Sequence, residues 1–184
     1  ARMMVGRDVV LRVARETGAE CRGETVVELE QVSVRGFQGK QALSDINLEL
    51  CSGEIVGVAG VDGNGQSELA EVVVGLRDIT AGQVIIDGRT DVPADPFVRL
   101  ECGVQYVPAD RKARGAVMEL SIADNAVLKN HRHSPYSRHG VLDHRAIRSF
   151  GQELMDKYDI RCPSVDTLVG TLSGGNLQKL ILAR

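Results

Sequence analysis

From Val26 the chain alternates apolar and polar positions with a period of two. Val27, Leu29, Val32 and Val34 mark one face, the turn Gly36-Phe37-Gln38-Gly39 follows, and Ile46, Leu48 and Leu50 mark a face of a second run. Alternation of this kind belongs to half-buried strands, and two such runs joined by a turn predict a small antiparallel layer that breaks at Ser52-Gly53. The pattern then changes. Glu54 to Ala59 is apolar without alternation, as in a buried strand; a glycine-rich loop runs from Gly60 to Gly65, and Leu69, Val72, Val73 and Leu76 recur at helical spacing over Gln66 to Leu76. Strand, loop and helix in this order form the context that a phosphate-binding loop requires. Gln83 to Asp87 predicts a short strand closed by Gly88, and Val104 to Val107 another stopped by Pro108.

Beyond Pro108 the pattern becomes helical and polar. Ser121-Ile122-Ala123-Asp124 predicts a capped helix running to about Asn130, and Asp143 caps a second running to about Tyr158. Between them His131 to Gly140 has loop composition. Its histidines His131, His133 and His139, with His144 just beyond, match no zinc spacing, so the residues favour a solvated loop over a metal site. Leu172-Ser173-Gly174-Gly175-Asn176-Leu177-Gln178-Lys179 reads as a loop turning into a helix, with Ser173 as N-cap and with Ile181 and Leu182 starting an apolar face. Such a start presents unpaired N–H groups to an anion, although an ordinary capped helix has the same local look.

Composition narrows the class. The chain has 184 residues, 43% hydrophobic and 26% charged, which is ordinary for a soluble domain. With 22 basic against 25 acidic residues it lacks the surplus that general nucleic-acid binding needs. Cys21, Cys51, Cys102 and Cys162 are dispersed, which fits small buried thiols better than a disulfide framework or a zinc site. No apolar run approaches the length of a membrane span, so association with a membrane would come through a partner. Residues 1–24 show no core-forming pattern and read as the tail or linker of a preceding unit. Residues 25–108 read as an antiparallel β subdomain plus P-loop core, and residues 109–184 as a helical subdomain.

Gly60-Val61-Asp62-Gly63-Asn64-Gly65-Gln66-Ser67 fits the phosphate-loop pattern G-x-x-x-x-G-K-[ST] except at the lysine, which is Gln66. A dinucleotide-binding turn fits worse, because Glu68 stands where a third small residue should let helix and sheet pack. Gln66 can donate hydrogen bonds but carries no charge, and Glu68 adds a negative one. At ~4 Å and an effective dielectric of ~20 each unit of charge is on the order of 4 kcal/mol before solvent and magnesium relax it. Tight binding with hydrolysis at this loop is therefore disfavoured, while the Ser67 hydroxyl keeps a possible magnesium contact.

Taken together, the phosphate loop, the helical stretch after it and Leu172-Ser173-Gly174-Gly175-Asn176 resemble the nucleotide-binding domain of ATP-binding cassette (ABC) transporters from about Val26 to Arg184. Gly57 to Leu69 looks like the second cassette of importer subunits for simple sugars and nucleosides in which two cassettes are fused. Ala1-Arg2-Met3-Met4-Val5-Gly6-Arg7 resembles the end of the first cassette. The resemblance implies an α/β fold, a P-loop NTPase ABC cassette with a small antiparallel β subdomain, a partial core sheet and a helical subdomain. It implies ATP and Mg as ligands, with Gly60, Val61, Asp62, Gly63, Asn64, Gly65, Gln66, Ser67 and Glu68 as this chain's phosphate loop. Leu172, Ser173, Gly174, Gly175 and Asn176 form a signature that closes over nucleotide held by the first cassette, and Asn176 replaces the commoner glutamine.

Phe37 sits where an aromatic stacks on adenine, though packing on the strands explains it equally well. Tyr106-Val107-Pro108-Ala109-Asp110-Arg111 resembles the segment that replaces the Q-loop, with Ala109 where an acid is common, so that contact is absent or moved to Asp110. Arg111, Lys112 and Arg114 face either a membrane partner or solvent. Implied partners are the first cassette of the same polypeptide, transmembrane permease subunits and, indirectly, a substrate-binding protein, but no nucleic acid. The implied place is cytoplasmic, on the inner face of the cell membrane. No Walker B aspartate, catalytic glutamate or switch histidine follows Arg184, so the resemblance implies a piece truncated after the signature, with no catalytic residue in it. A cassette that docks and transmits motion with an empty P-loop, and a soluble cassette protein of DNA repair or translation, are the competing readings.

Overall fold

The computed structural model describes residues 23–36, 39–61 and 63–184. Cys21, nearly all of the expected tail over residues 1–24, Phe37, Gln38 and Asp62 lie outside the described residues. The chain divides into two compact units, one up to Cys102 and one over Gly103–Arg184.

In the first unit β1 (Thr25–Arg35), β2 (Gln41–Cys51) and β3 (Ala81–Ile86) form an antiparallel sheet in the order β2-β1-β3. The alternation in the sequence sets its register. Val27 lies opposite Leu50, Leu29 opposite Leu48, Val32 opposite Ile46 and Val34 opposite Leu43, so each rung sets apolar against apolar on one face. The apolar phase slips by one residue between Leu29 and Val32, and a register shift absorbs the slip where Gln31 takes φ 50°. A second shift, between Val32 and Val34, falls opposite Asp45 in β2, with φ 52°. Side chains satisfy both amides: Gln31 N–H donates to Asn47 Oδ1 at 2.9 Å and Asp45 N–H to Ser33 Oγ at 3.0 Å.

Helix α1 (Gln66–Val73) ends short of the expected Leu76. The chain reverses at Gly75 (φ 76°), where Gly75 N–H donates to Val72 O and Leu76 N–H to Glu71 O, a paired closure that stops a helix. Helix α2 (Pro96–Glu101) was not expected, although its signal is in the sequence: Asp95 accepts from Phe97 N–H at 2.8 Å and Val98 N–H at 3.0 Å, with proline at the first helical turn. The strands expected at residues 54–59 and 104–107 are not formed. Ile55 is 100% exposed and Val58 56%. A non-alternating apolar run makes a strand only between neighbours that cover both faces, and no strand among the described residues pairs with either segment.

The second unit holds α3 (Ile122–Ala126), the hairpin β4 (Ser137–Arg138) and β5 (Val141–Leu142), α4 (His144–Lys157), a single 3-10 turn (Val169–Thr171) and α5 (Gly174–Ala183). The expected caps are present. Ser121 Oγ accepts from Asp124 N–H at 3.1 Å, and Asp143 Oδ1 from Arg145 and Ala146 N–H at 2.9 and 3.0 Å. Helix α3 stops at Ala126 instead of Asn130, because the next amides tighten into turns, with Asn130 N–H on Val127 O. Within the histidine-bearing loop, His139-Gly140 makes a two-residue hairpin with φ 51° and 81°. Ile122, Ile147, Val169, Leu177, Leu180 and Ile181 form the core, whereas Leu182, expected on the apolar face, is 56% exposed. Helical spacing explains this: Leu177, Leu180 and Ile181 share one side of α5 and Leu182 turns past it.

Asn125, with no exposed surface, staples this unit: its Oδ1 accepts from Val117 N–H at 2.9 Å and its Nδ2 donates to Val117 O at 2.9 Å and Ser121 O at 3.0 Å. Among the described residues no group of histidines, cysteines or carboxylates is arranged to hold a metal, Cys51, Cys102 and Cys162 are free thiols, and no helix is long and apolar enough to cross a membrane.

Candidate functional site

The phosphate-loop residues lie in the first unit. Gly65 is the N-cap of α1 with φ 96°, and a Cβ placed on it would stand 2.6 Å from Ala42 O and 2.9 Å from Leu43 Cδ2. A side chain there would collide with β2 as well as strain the backbone, so the sheet and the helix start demand glycine together. Among the described residues no side chain caps α1. Ser67 is exposed in that first turn, and Glu68 follows it. The loop is closed on itself: Val61 O accepts both Asn64 N–H at 3.2 Å and Gln66 Nε2 at 3.1 Å. Gln66 thus spans the loop, and a Cβ on Gly60 would lie 2.2 Å from its amide nitrogen. Behind the loop Glu71, 6% exposed on α1, accepts from Arg77 Nε at 2.8 Å and Nη2 at 2.6 Å.

The signature residues lie in the second unit. Leu172 packs against the core and ends the 3-10 turn. Ser173 then caps α5, its Oγ facing Asn176 N–H at 3.4 Å. Gly174 and Gly175 are exposed, their φ is not left-handed, and a Cβ on either would meet no atom within 4 Å. Nothing in the described chain requires glycine there, yet glycine in a helix costs roughly 0.5–1 kcal/mol relative to alanine. The two positions are bare where backbone would be approached from outside.

Asn176 points the other way. Its Oδ1 accepts from Arg161 N–H at 3.1 Å and its Nδ2 donates to Arg161 O at 2.8 Å. One turn on, Lys179 Nζ donates to Asp159 O and reaches Asp159 Oδ2 at 3.0 Å, while Arg161 Nε lies 3.2 Å from Asp159 Oδ1. The hydrogen bond from Lys179, followed by that from Arg161, holds the Asp159 carboxyl below the usual carboxylate range. On another side of α5, Arg111 Nη1 donates to Gln178 Oε1 at 2.9 Å. Asp110 is spent on its own turn, accepting from Lys112 N–H at 3.1 Å and Ala113 N–H at 2.9 Å.

Each group of sequence-predicted site residues is therefore assembled within its own unit: Gly60, Val61, Gly63, Asn64, Gly65, Gln66, Ser67 and Glu68 around the start of α1, and Leu172 to Asn176 around the start of α5. Phe37 and Asp62 lie outside the described residues. Asp159, Arg161 and Lys179 were not anticipated; Lys179 at one helical turn from Asn176 was the available signal.

Residues 43–184 match the protein-family model of the ABC transporter. The chain is 44% identical over 186 residues to the glucose import ATP-binding protein TsgD13 of Haloferax volcanii, covering 100% of this chain and 34% of that protein. It is 38% identical over 184 residues to the guanosine import ATP-binding protein NupO of Bacillus subtilis, covering 100% of this chain and 36% of that protein. The chain thus spans about a third of the length of these curated relatives. Among solved structures, the ATP-binding cassette MJ0796, in a dimeric post-hydrolysis state bound to ADP and Pi, matches 85% of this chain and 67% of its own with a TM-score of 0.66 at 22% identity, a likeness of fold. The chain belongs to the ABC transporter family as part of an ATPase cassette, with the candidate phosphate loop at the start of α1 and the candidate signature at the start of α5.

Proposed function

We propose that this chain is part of an importer subunit that couples ATP binding and hydrolysis to the uptake of a simple sugar or nucleoside. The observation that carries the proposal is the start of α5, a serine-capped helix whose two glycines are exposed and unhindered in a fold that does not need them. Backbone N–H groups bared in this way suit the close approach of a phosphate. In this reading Ser173, Gly174 and Gly175 close over nucleotide held by the first of two fused cassettes, and this chain's own loop, Gly60 to Glu68, is the weaker half of a second site. The glucose and guanosine importers among the relatives support the substrate class. Permease subunits at the inner face of the membrane and a substrate-binding protein are the corresponding partners.

The exposed Ser67 hydroxyl at the start of α1 fits a magnesium ligand. Magnesium, when bound, offsets phosphate charge; the chain's own part is to present the α1 and α5 N-termini and to keep Glu68 and the closed loop at one site and the bare glycines at the other.

A second reading has its own observation. The bonds from Gln66 and Asn64 to Val61 O use donors that a nucleotide would need, which favours a cassette that docks and transmits motion without filling its own loop. Gln66→Lys with Glu68→Thr in the full-length subunit restores two units of positive balance. Competition titration with Mg-ATP is expected to show binding at this loop tightened by about tenfold or more. No gain would defeat the charge argument. Absence of calorimetric heat at millimolar Mg-ATP from this chain on its own would select the docking reading.

A further inference from the structure

The side chain of Asn176 is committed away from any nucleotide. Its oxygen and its nitrogen both bond to the backbone of one residue, Arg161, at 3.1 and 2.8 Å, so an amide side chain reproduces a rung of a β-ladder. Turning it outward would strip the Arg161 N–H and C=O of these partners.

The turn that Asn176 grips is itself fixed. Asp159 stands at φ 50°, Ile160 is buried at 4% exposure, and Ile160 N–H donates to Met155 O at 2.9 Å. Lys179, one turn along α5 on the same side as Asn176, holds Asp159 by both its carbonyl and its carboxylate, and Arg161 holds that carboxylate from the turn. The turn after α4 and the first two turns of α5 are thus joined by a polar clamp beside the apolar seam of Ile160, Leu177 and Leu180.

We infer that Asn176 and Lys179 are positioning residues: they fix the direction of the Ser173-Gly174-Gly175 helix start against the 159–161 turn, and Asn176 is not a nucleotide ligand. The inference rests on the importer-ATPase reading only for its consequence in catalysis; the clamp itself is a property of this fold. A helix start aimed wrongly still leaves the P-loop of the opposing cassette able to bind nucleotide, but it fails to complete the closed site.

The test uses the full-length subunit with its permease partners and two variants, Asn176→Ala and Lys179→Ala. Hydrogen exchange at the Arg161 amide, read by NMR or mass spectrometry, is expected to quicken by about tenfold or more in Asn176→Ala. ATPase kinetics are expected to show kcat lowered by about tenfold in Asn176→Ala and less in Lys179→Ala, with KM for ATP within about twofold in both. The double variant should lose less than the product of the two, because both residues serve one clamp. A several-fold rise in KM with kcat unchanged in Asn176→Ala would make Asn176 a ligand and overturn the inference, as would unchanged exchange at Arg161. If the unaltered subunit hydrolyses no ATP, the functional reading falls while the exchange result still decides the clamp.

Discussion

Replacing Gly174 and Gly175 by alanine separates the needs of the fold from those of function. Both are exposed helical positions of α5 with no atom within 4 Å of a Cβ, so alanine introduces no clash and no backbone strain. At compatible sites glycine to alanine stabilises by roughly 0.4–1 kcal/mol through the unfolded chain, or about 1–2 kcal/mol for the pair. With a urea m value of ~2 kcal/mol/M, the unfolding midpoint of the second unit should rise by about 0.5–1 M with the slope unchanged. In the full-length subunit the same pair of methyl groups stands where phosphate would approach the bare N–H groups, and ATP turnover should fall by tenfold or more. A midpoint that falls would mean that the fold needs these glycines after all. A midpoint that rises with turnover intact would refute the close-approach argument.

Asn125→Ala orphans the Val117 N–H and removes a donor from the Val117 and Ser121 carbonyls at a site with no exposure, and should cost about 3 kcal/mol by chemical denaturation. Asp159→Asn probes the clamp through pH. Because the folded protein holds the Asp159 carboxyl below its ordinary value, its contribution is fully present above about pH 4, the unfolded range, and is lost as pH falls through the lower folded value. The stability gap between the unaltered protein and Asp159→Asn, followed by denaturation from pH 7 to 3, should hold steady to about pH 5 and then close. Salt should narrow it as well, since these groups are exposed.

Much of this architecture is legible in the linear pattern where the cause is local. The alternation of Val27, Leu29, Val32 and Val34 placed β1, and the caps at Ser121, Asp143 and Ser173 lie where their hydroxyl or carboxylate types suggest. Asp95-Pro96 carried an equally local signal for α2. What escaped depends on distant partners. Residues 54–59 have the composition of a strand, but strand formation belongs to the neighbours that would flank it, and none pairs with it among the described residues. The candidate site was legible as two motifs, since glycine spacing advertises backbone approach. The clamp was not, because Asn176 and Arg161 meet only through the packing of α5 against the turn after α4, and an asparagine at a helix start gives no hint of which backbone it will hold.

The two central irregularities in the β1–β2 ladder are insertions, one on each strand. Leu29 faces Leu48 and Val34 faces Leu43 on one count, and between them the count is offset at Val32 and Ile46; further shifts lie between Thr25 and Val27 and between Val34 and Arg35. Deleting Gln31 would set Leu29 and Val32 two positions apart, still opposite Leu48 and Ile46, and deleting Asp45 would do the same for Leu43 and Ile46 opposite Val34 and Val32. Either deletion keeps Val27, Leu29, Val32 and Val34 on the buried face. Loss of a residue at these two points should therefore be tolerated singly as well as in pairs, because each excess residue is absorbed where it occurs.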